Sequence, residues 1–438
     1  MPPVVEPTMS VLIEILTDLP KGTNLAMLHF MWMLVSGALL PHRGALFPAL
    51  QSTGIGKKAV RRSWAAFRGG VWQISELIAA WETYMREQEW ELRRYEGYYA
   101  IVIDTTPFWR PKLKGLFSKY YNSVAEKALP AVIMGLIARI GEVKGKRFAL
   151  PSAILRVKLK DPSEKGLKEA LLKKVSHGLG SLEIMLADAG FKLKDIHEAN
   201  VPQYGVRLAK NFTARRNYIA YAPGKKGKKP SYGPRVRPLA RSYKEHEIAA
   251  TAPDATFTWQ LETNEQVPVH IWRDLVLPTV QPSPTADLFD VYAIFDPRYD
   301  NPLLLGINVK LQAPTVHALY TDRWPIEQLP LAGKQMIGAH RQFVFAEETR
   351  HRLPELVLLA GSILTGLAAL HPVIPTGFWD RNPQPTPGRF RRALAGLPFP
   401  QSYPLPGQLC QKASVTDHLP KGILAHRRRK QDVKVILT

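Results

Sequence analysis

"GYYAIVIDTTPFW", residues 97–109, is the stretch on which the reading of this chain turns. It is apolar, rich in β-branched and aromatic residues, and its buried-strand pattern ends on Asp104. "SLEIMLADAGF", residues 181–191, repeats the pattern and ends on Asp188. Between them, "PAVIMGLIARIGEV" and "KRFALPSAILRV" read as strands. "EKGLKEALLKKVSHGL", residues 164–179, reads as an amphipathic helix ended by Gly180. Strands, a crossover helix and a further strand predict a mixed α/β sheet.

A carboxylate at the end of a buried strand sits at a sheet edge, where α/β folds form clefts. An Asp there is also an ordinary turn former or helix cap. Two carboxylates brought close repel each other unless a cation bridges them. Hard divalent ions take oxygen ligands and keep waters and phosphates in their remaining positions. Two such ions side by side activate a water or hydroxyl and stabilise a leaving oxygen.

A third carboxylate comes from "LYTDRWPIEQLPLAGK", residues 319–334. On an ideal helix Tyr320, Arg323, Glu327 and Lys334 share an arc of roughly 60°. The spacing predicts one polar stripe, an acid flanked by two cations and a phenol. Arg-Glu pairing four residues apart is also a routine surface contact. Pro330 removes a hydrogen bond inside this helix, which makes Lys334 the least secure member of the stripe. Asp322 falls roughly 140° from Glu327 and is rejected as the third ligand. Asp296 and Asp300, in "FDPRYDN", read as turn formers.

The 438 residues suit two to four domains. Lys plus Arg outnumber Asp plus Glu by 59 to 37, for a net charge of +22, and such a field attracts polyanions. Cys410 is the only cysteine, so internal disulfides and Cys-based zinc sites are excluded. The amino-terminal stretch carries Glu6, Glu14 and Asp18 and no basic region, unlike a signal peptide. The apolar runs at 25–40 and 357–370 are shorter than the roughly 20 residues that span a bilayer and are expected as buried helices.

Two segments suggest nucleic acid. Residues 44–70 have helix-turn-helix-like spacing, with Lys57, Lys58, Arg61 and Arg62 on the second helix. A solvated basic helix packed by Val60, Trp64 and Phe67 gives the same pattern. From Val201 to Lys244 there are twelve Lys or Arg, no Asp or Glu, and six aromatics. Cations for phosphates and flat rings for bases make a nucleic-acid-binding composition. Its Gly- and Pro-rich centre, "PGKKGKKPSYGPRVRP", reads equally as a solvated loop. Short β runs flank this tract and suggest a small β-rich insertion. A basic tail, "HRRRKQ", lies near the end.

The spacing Tyr320-x2-Arg323-x3-Glu327-x6-Lys334 resembles the Tyr-Arg-Glu-Lys signature of a large family of bacterial insertion-sequence DDE transposases. "IVIDTTPF" resembles that family's first-aspartate strand, "IMLADAGF" its second, and "YGVRLAKN" the strand that opens its β-rich insertion. The resemblance spans about residues 97 to 370. It implies a ribonuclease-H-like mixed sheet flanked by helices and interrupted by the insertion. Asp104, Asp188 and Glu327 would hold two magnesium or manganese ions. A nick at the element end, a hairpin intermediate and strand transfer into target DNA would follow. Tyr320, Arg323 and Lys334 would hold phosphates, and Trp324 would brace a flipped base. Arg207 and Lys210 would contact DNA from the insertion strand, with Trp259 and Trp272 as further stacking candidates beside a plain core role.

The expected organisation is a helical amino-terminal DNA-binding domain (1–95), a catalytic core in two parts (96–192 and 287–372), the basic β-rich insertion (193–286) and a Pro-rich basic carboxy-terminal extension (373–438). The expected partners are double-stranded DNA, as terminal inverted repeats and target, and a second copy of the chain. The expected place is the cytoplasm, at the bacterial nucleoid, with no membrane. A domesticated or non-catalytic DNA-binding regulator, or another ribonuclease-H-like nuclease, is the alternative.

Overall fold

The computed structural model describes residues 2–157, 162–220, 230–244, 246–261, 264–375 and 377–411. Residues 223–229 of the Gly- and Pro-rich centre and the "HRRRKQ" tail lie outside the described residues. The chain forms two compact units: Met1–Leu92, Thr105–Leu167 and Pro325–Thr438 make one, and Arg93–Asp104 with Lys168–Trp324 make the other. The class is mixed α/β.

Five helices begin the first unit: α1 (Val5–Leu16), α2 (Thr23–Val35), α3 (Leu46–Ser52), α4 (Lys57–Gly69) and α5 (Ile74–Glu87). The α2 helix is apolar around its whole circumference and is buried accordingly. The α4 helix is amphipathic. Val60, Ser63, Ala66 and Phe67 turn inward at helical spacing, and Lys57, Lys58, Arg61 and Arg62 are all exposed.

Short strands β1 (Glu91–Leu92) and β2 (Arg94–Tyr95) precede the long β3 (Tyr98–Trp109), then β4 (Lys119–Asn122), β5 (Lys127–Val143) and β6 (Lys146–Arg156). In the first unit β5 pairs antiparallel with β1, β4 and β6. The β5–β6 turn places Lys144 and Gly145 at φ 49° and 71°, the two positive φ values that a tight hairpin turn requires. Ile137↔Ala153 is followed by Ala138↔Pro151, so Ser152 is an extra residue. Pro151, which has no N–H to donate, is tolerated beside that bulge.

After β6 come α6 (Glu164–Gly178), β7 (Glu183–Ala187), α7 (Leu193–Glu198) and β8 (Tyr204–Arg207). The remaining strands are β9 (Ala214–Arg216), β10 (Arg235–Val236), β11 (Arg241–Tyr243), β12 (His246–Ile248), β13 (Ala255–Gln260), β14 (Gln266–Val276), β15 (Phe289–Ile294) and β16 (Leu303–Ile307). In the second unit the sheet runs β2-β3-β7-β8-β16-β15-β14-β9-β10, with β13 on β14. The β3–β7 and β7–β8 pairs are parallel, and those from β16 outward are antiparallel. The insertion's β14 therefore shares a sheet with the strands around it. The second strand run is shorter than its sequence pattern, because the chain turns at Asp188, whose carboxylate accepts the Gly190 N–H at 2.9 Å.

The chain closes with α8 (Ala313–Thr321), α9 (Pro325–Leu331), a π-helical turn (Ala332–Met336), α10 (Glu347–Leu370), α11 (Pro387–Leu394) and α12 (Gly407–Cys410). The 357–370 run belongs to a longer helix than its apolar stretch implied. At 24 residues α10 is long and apolar enough to cross a membrane, but 94% of its apolar window is buried inside the protein. Gly361 and Gly333 let this helix approach α9 closely. A Cβ on Gly361 would meet the Leu329 carbonyl at 2.8 Å, and one on Gly333 would meet Val357 Cγ1 at 2.7 Å.

Candidate functional site

In the second unit the parallel register sets the site. Tyr99 pairs with Glu183 and Val102 with Leu186. Continued by two residues, that register sets Asp104 beside Asp188. On the other side Met185 pairs with Tyr204 and Ala187 with Val206. One step further sets Asp188 beside Arg207. That extended register aligns Asp104, in the middle of β3, with Asp188, one residue past β7, and Arg207, the last residue of β8, at strand spacings of about 4.8 Å. The first strand does not end on Asp104 as its apolar pattern suggested but runs on to Trp109. Residues level on adjacent parallel strands point to the same face. Both aspartates are half-buried and Arg207 is exposed.

Tyr320 and Arg323 approach this row. Tyr320 is buried at the end of α8, and the Arg323 guanidinium sits 5.5 Å from its ring centroid. Burial pushes the Tyr320 phenol above its ordinary value. The charges of Arg323 and Arg207 pull it back, and that of Asp188 pushes it up. The same phenol thus feels the two arginines and the second aspartate. Trp324 follows with 59% of its surface exposed. Lys210 is exposed in the turn after β8.

The expected continuous stripe is corrected. The helix ends at Thr321 and restarts at Pro325, because Pro325 supplies no N–H to continue α8. Pro330 sits inside α9, and the π-helical turn begins two residues later, with the Ile337 N–H donating to the Ala332 carbonyl at 3.1 Å. Tyr320 and Arg323 thus belong to the second unit, and Glu327 and Lys334 to the first. Glu327 occupies the first turn of α9 and is half-buried. A carboxylate there is also favoured by the helix dipole.

In the first unit, Lys334 donates to the Thr106 hydroxyl at 2.7 Å and stands 5.2 Å from the Phe108 ring centroid. Thr106 and Phe108 follow Asp104 at intervals of two along β3, so they share its face of the strand. Alternation along "DTTPF" was the signal that could have singled them out.

The neighbouring acids have other partners. Asp322 accepts from the Tyr95 hydroxyl at 2.8 Å and pairs with Arg93 Nε at 3.0 Å. Arg298, in a turn, holds the Asp296 carboxyl below its usual range through side-chain hydrogen bonds, and His317 lies 3.2 Å from the same carboxylate. Trp272 is fully buried, with Nε1 donating to the Thr251 and Ala252 carbonyls, so it is a core residue and not a stacking platform. Trp259 is half-buried, its ring 5.4 Å from that of His317.

Asp104 and Asp188, aligned by that extended register, offer hard oxygen donors of the kind that magnesium or manganese takes. Among the described residues no group of three or more His, Cys, Asp or Glu is gathered closely enough to hold an ion. The basic helix of the 44–70 segment is also in place: α3 and α4 are joined by the short 53–56 turn, with Gly54 at φ 76°. Compared with known proteins, the chain matches no family model, and no curated protein matches it significantly.

Proposed function

We propose that this protein is a DNA transposase of the DDE class, built on a ribonuclease-H-like core, that cleaves DNA at element ends and transfers the freed strand to target DNA. The observation that carries the reading is the parallel register of β3, β7 and β8, which, extended by one or two residues, aligns Asp104, Asp188 and Arg207. The order along the chain supports it: a strand with an aspartate, an antiparallel hairpin, a helix, and a parallel strand with a second aspartate.

Asp104 and Asp188 would hold the divalent ions, which when bound supply an activated water and charge stabilisation at the scissile phosphate. Glu327 is the third carboxylate that the sequence resemblance implies for the ligand set. Arg207 and Arg323 would bind phosphate oxygens flanking the cut, and the Tyr320 phenol, kept protonated by burial, would donate to one of them. Lys334, braced by Thr106, would hold a further phosphate. The exposed Trp324 is free to stack on an extruded base. The exposed cations of α4 would grip duplex DNA. A second copy of the chain would serve the second element end.

The test is cleavage, with magnesium or manganese, of duplexes taken from the DNA flanking the gene. Asp104→Asn, Asp188→Asn and Glu327→Gln should each abolish cleavage and leave folding intact. Full cleavage by all three would sink the assignment. A hairpin product on the excised end is expected.

A second reading is a DNA-binding regulator that does not cut. It draws on the absence, among the described residues, of a gathered three-carboxylate group. Tight duplex binding by the native chain, with no cleavage under either metal, would favour it.

A further inference from the structure

The segment between β3 and β5 has no role in the site described so far. Residues 119–122 and 127–130 form a two-stranded ribbon of four rungs, from Lys119↔Pro130 to Asn122↔Lys127. Its base is closed by the Arg110 N–H donating to the Pro130 carbonyl at 2.8 Å and the Ser118 hydroxyl donating to the Ala131 carbonyl at 2.6 Å. Tyr120 turns inward, its ring 5.9 Å from Trp109 and its hydroxyl 3.3 Å from that of Thr105. At the tip, the Asn122 carboxamide oxygen accepts the Ala125 N–H at 2.9 Å.

This braced ribbon, its tip and the 110–118 loop that leads into it present large apolar groups to water. Phe117 is 81% exposed, Tyr121 59% and Val124 94%. Lys112, Lys114, Lys119 and Lys127 are exposed around them, and Glu126 is the only acid between residues 111 and 129. Lys119 and Tyr121 alternate on one face of the ribbon. Four cations against one acid select an anionic partner. Flat rings interleaved with the cations select one that offers planar groups. A two-stranded ribbon also has the width that the major groove of B-DNA admits.

We propose that this ribbon is a second, sequence-independent docking site for duplex DNA. Its lysines bind phosphates and Phe117 and Tyr121 lie against sugars and base edges. The choice of DNA over RNA rests on the function proposed above; the ribbon's binding role does not.

The test uses the full chain and a short fluorescent duplex of random sequence, followed by anisotropy across a salt series. The combined variant Lys112→Gln, Lys114→Gln, Lys119→Gln, Lys127→Gln should weaken binding at least roughly tenfold and flatten the log–log salt slope by about 0.9 per lysine. Phe117→Ser with Tyr121→Ser, both at exposed positions, should weaken binding several-fold and leave the slope unchanged. Unchanged affinity and slope in the lysine variant overturn the proposal. So does equal binding of duplex RNA with an equal loss. The same is true if the variants lose adhesion to phosphatidylserine vesicles but keep full duplex binding, which would make the ribbon a membrane contact. Asp104→Asn separates the two proposals: it should lose cleavage yet retain ribbon-dependent binding.

Discussion

Lys334 Nζ donates to Thr106 Oγ1 at 2.7 Å, and Thr106 is two residues past Asp104 on the same face of β3. The ammonium is thereby tied to the strand that carries the first aspartate. Thr106→Val keeps the shape and removes the acceptor. It should cost about 1 kcal/mol, the net worth of a hydrogen bond made by a half-buried ammonium. Urea unfolding would read this as a lower midpoint at unchanged slope, and cleavage should fall with it.

Arg207 should behave as a phosphate contact. Arg207→Ala should weaken duplex binding across all sequences and lower the log–log salt slope by about 0.9. Its exposure predicts little change in thermal midpoint. A variant with altered sequence preference and an unchanged slope would point to base reading.

Arg156 forks onto Glu355, with Nε and Nη2 at 2.5 and 2.7 Å from its two oxygens, and also reaches Glu348 at 3.0 Å. Glu355 is 2% exposed, and burial raises its carboxyl above the ordinary 4.5 despite that partner. Arg156→Met leaves a buried carboxylate unpaired and should destabilise by about 3–5 kcal/mol at neutral pH. An acid with a raised value in the folded state contributes stability that is fully present below its unfolded value and lost as pH rises through the folded one. The variant's deficit should therefore shrink as pH falls into the carboxylate range. Paired denaturation curves at neutral and acidic pH would check it.

His29 packs edge-on against Phe399 at 4.5 Å, and burial lowers its imidazole from 6.5 to about 4. A depressed value means the stabilising contribution is present above 6.5 and lost as pH falls toward 4. His29→Gln should lose less stability than the native chain over that window. Parallel slopes for the two proteins would contradict it.

Gly361→Ala drives a methyl against the Leu329 carbonyl and the Gly333 nitrogen, at 2.8 and 3.0 Å. Overpacking there should cost about 1–3 kcal/mol. Because Gly333 adjoins Lys334, the variant should also disturb the Lys334–Thr106 bond. Cleavage should fall more than stability alone explains, measured at a temperature where the variant remains folded.

Much of the element map was legible from pattern alone. The apolar runs at 97–109 and 130–143 became β3 and β5, and the amphipathic pattern at 164–179 became α6. The residues of α4 divided into buried and exposed faces as their spacing required. The carboxylate that follows the second buried run was visible for the same reason, strand sterics and apolar burial being local properties of the chain, whereas the first strand runs five residues past Asp104. The pattern failed where the backbone departs from ideal geometry. Helical spacing put Tyr320, Arg323, Glu327 and Lys334 on one stripe, but two prolines and a π-helical turn divide that segment.

By itself the sequence determined the residue types, the buried strands and the place of Asp104 and Asp188 along them, because alternation and burial are written residue by residue. Only the tertiary structure decided the parallel register of β3, β7 and β8 that leads toward Asp104, Asp188 and Arg207, that Tyr320 feels both Asp188 and Arg207, and that Thr106 receives Lys334. Register between strands is set by hydrogen bonds joining residues far apart in the chain, and no local period records which residues those bonds will align.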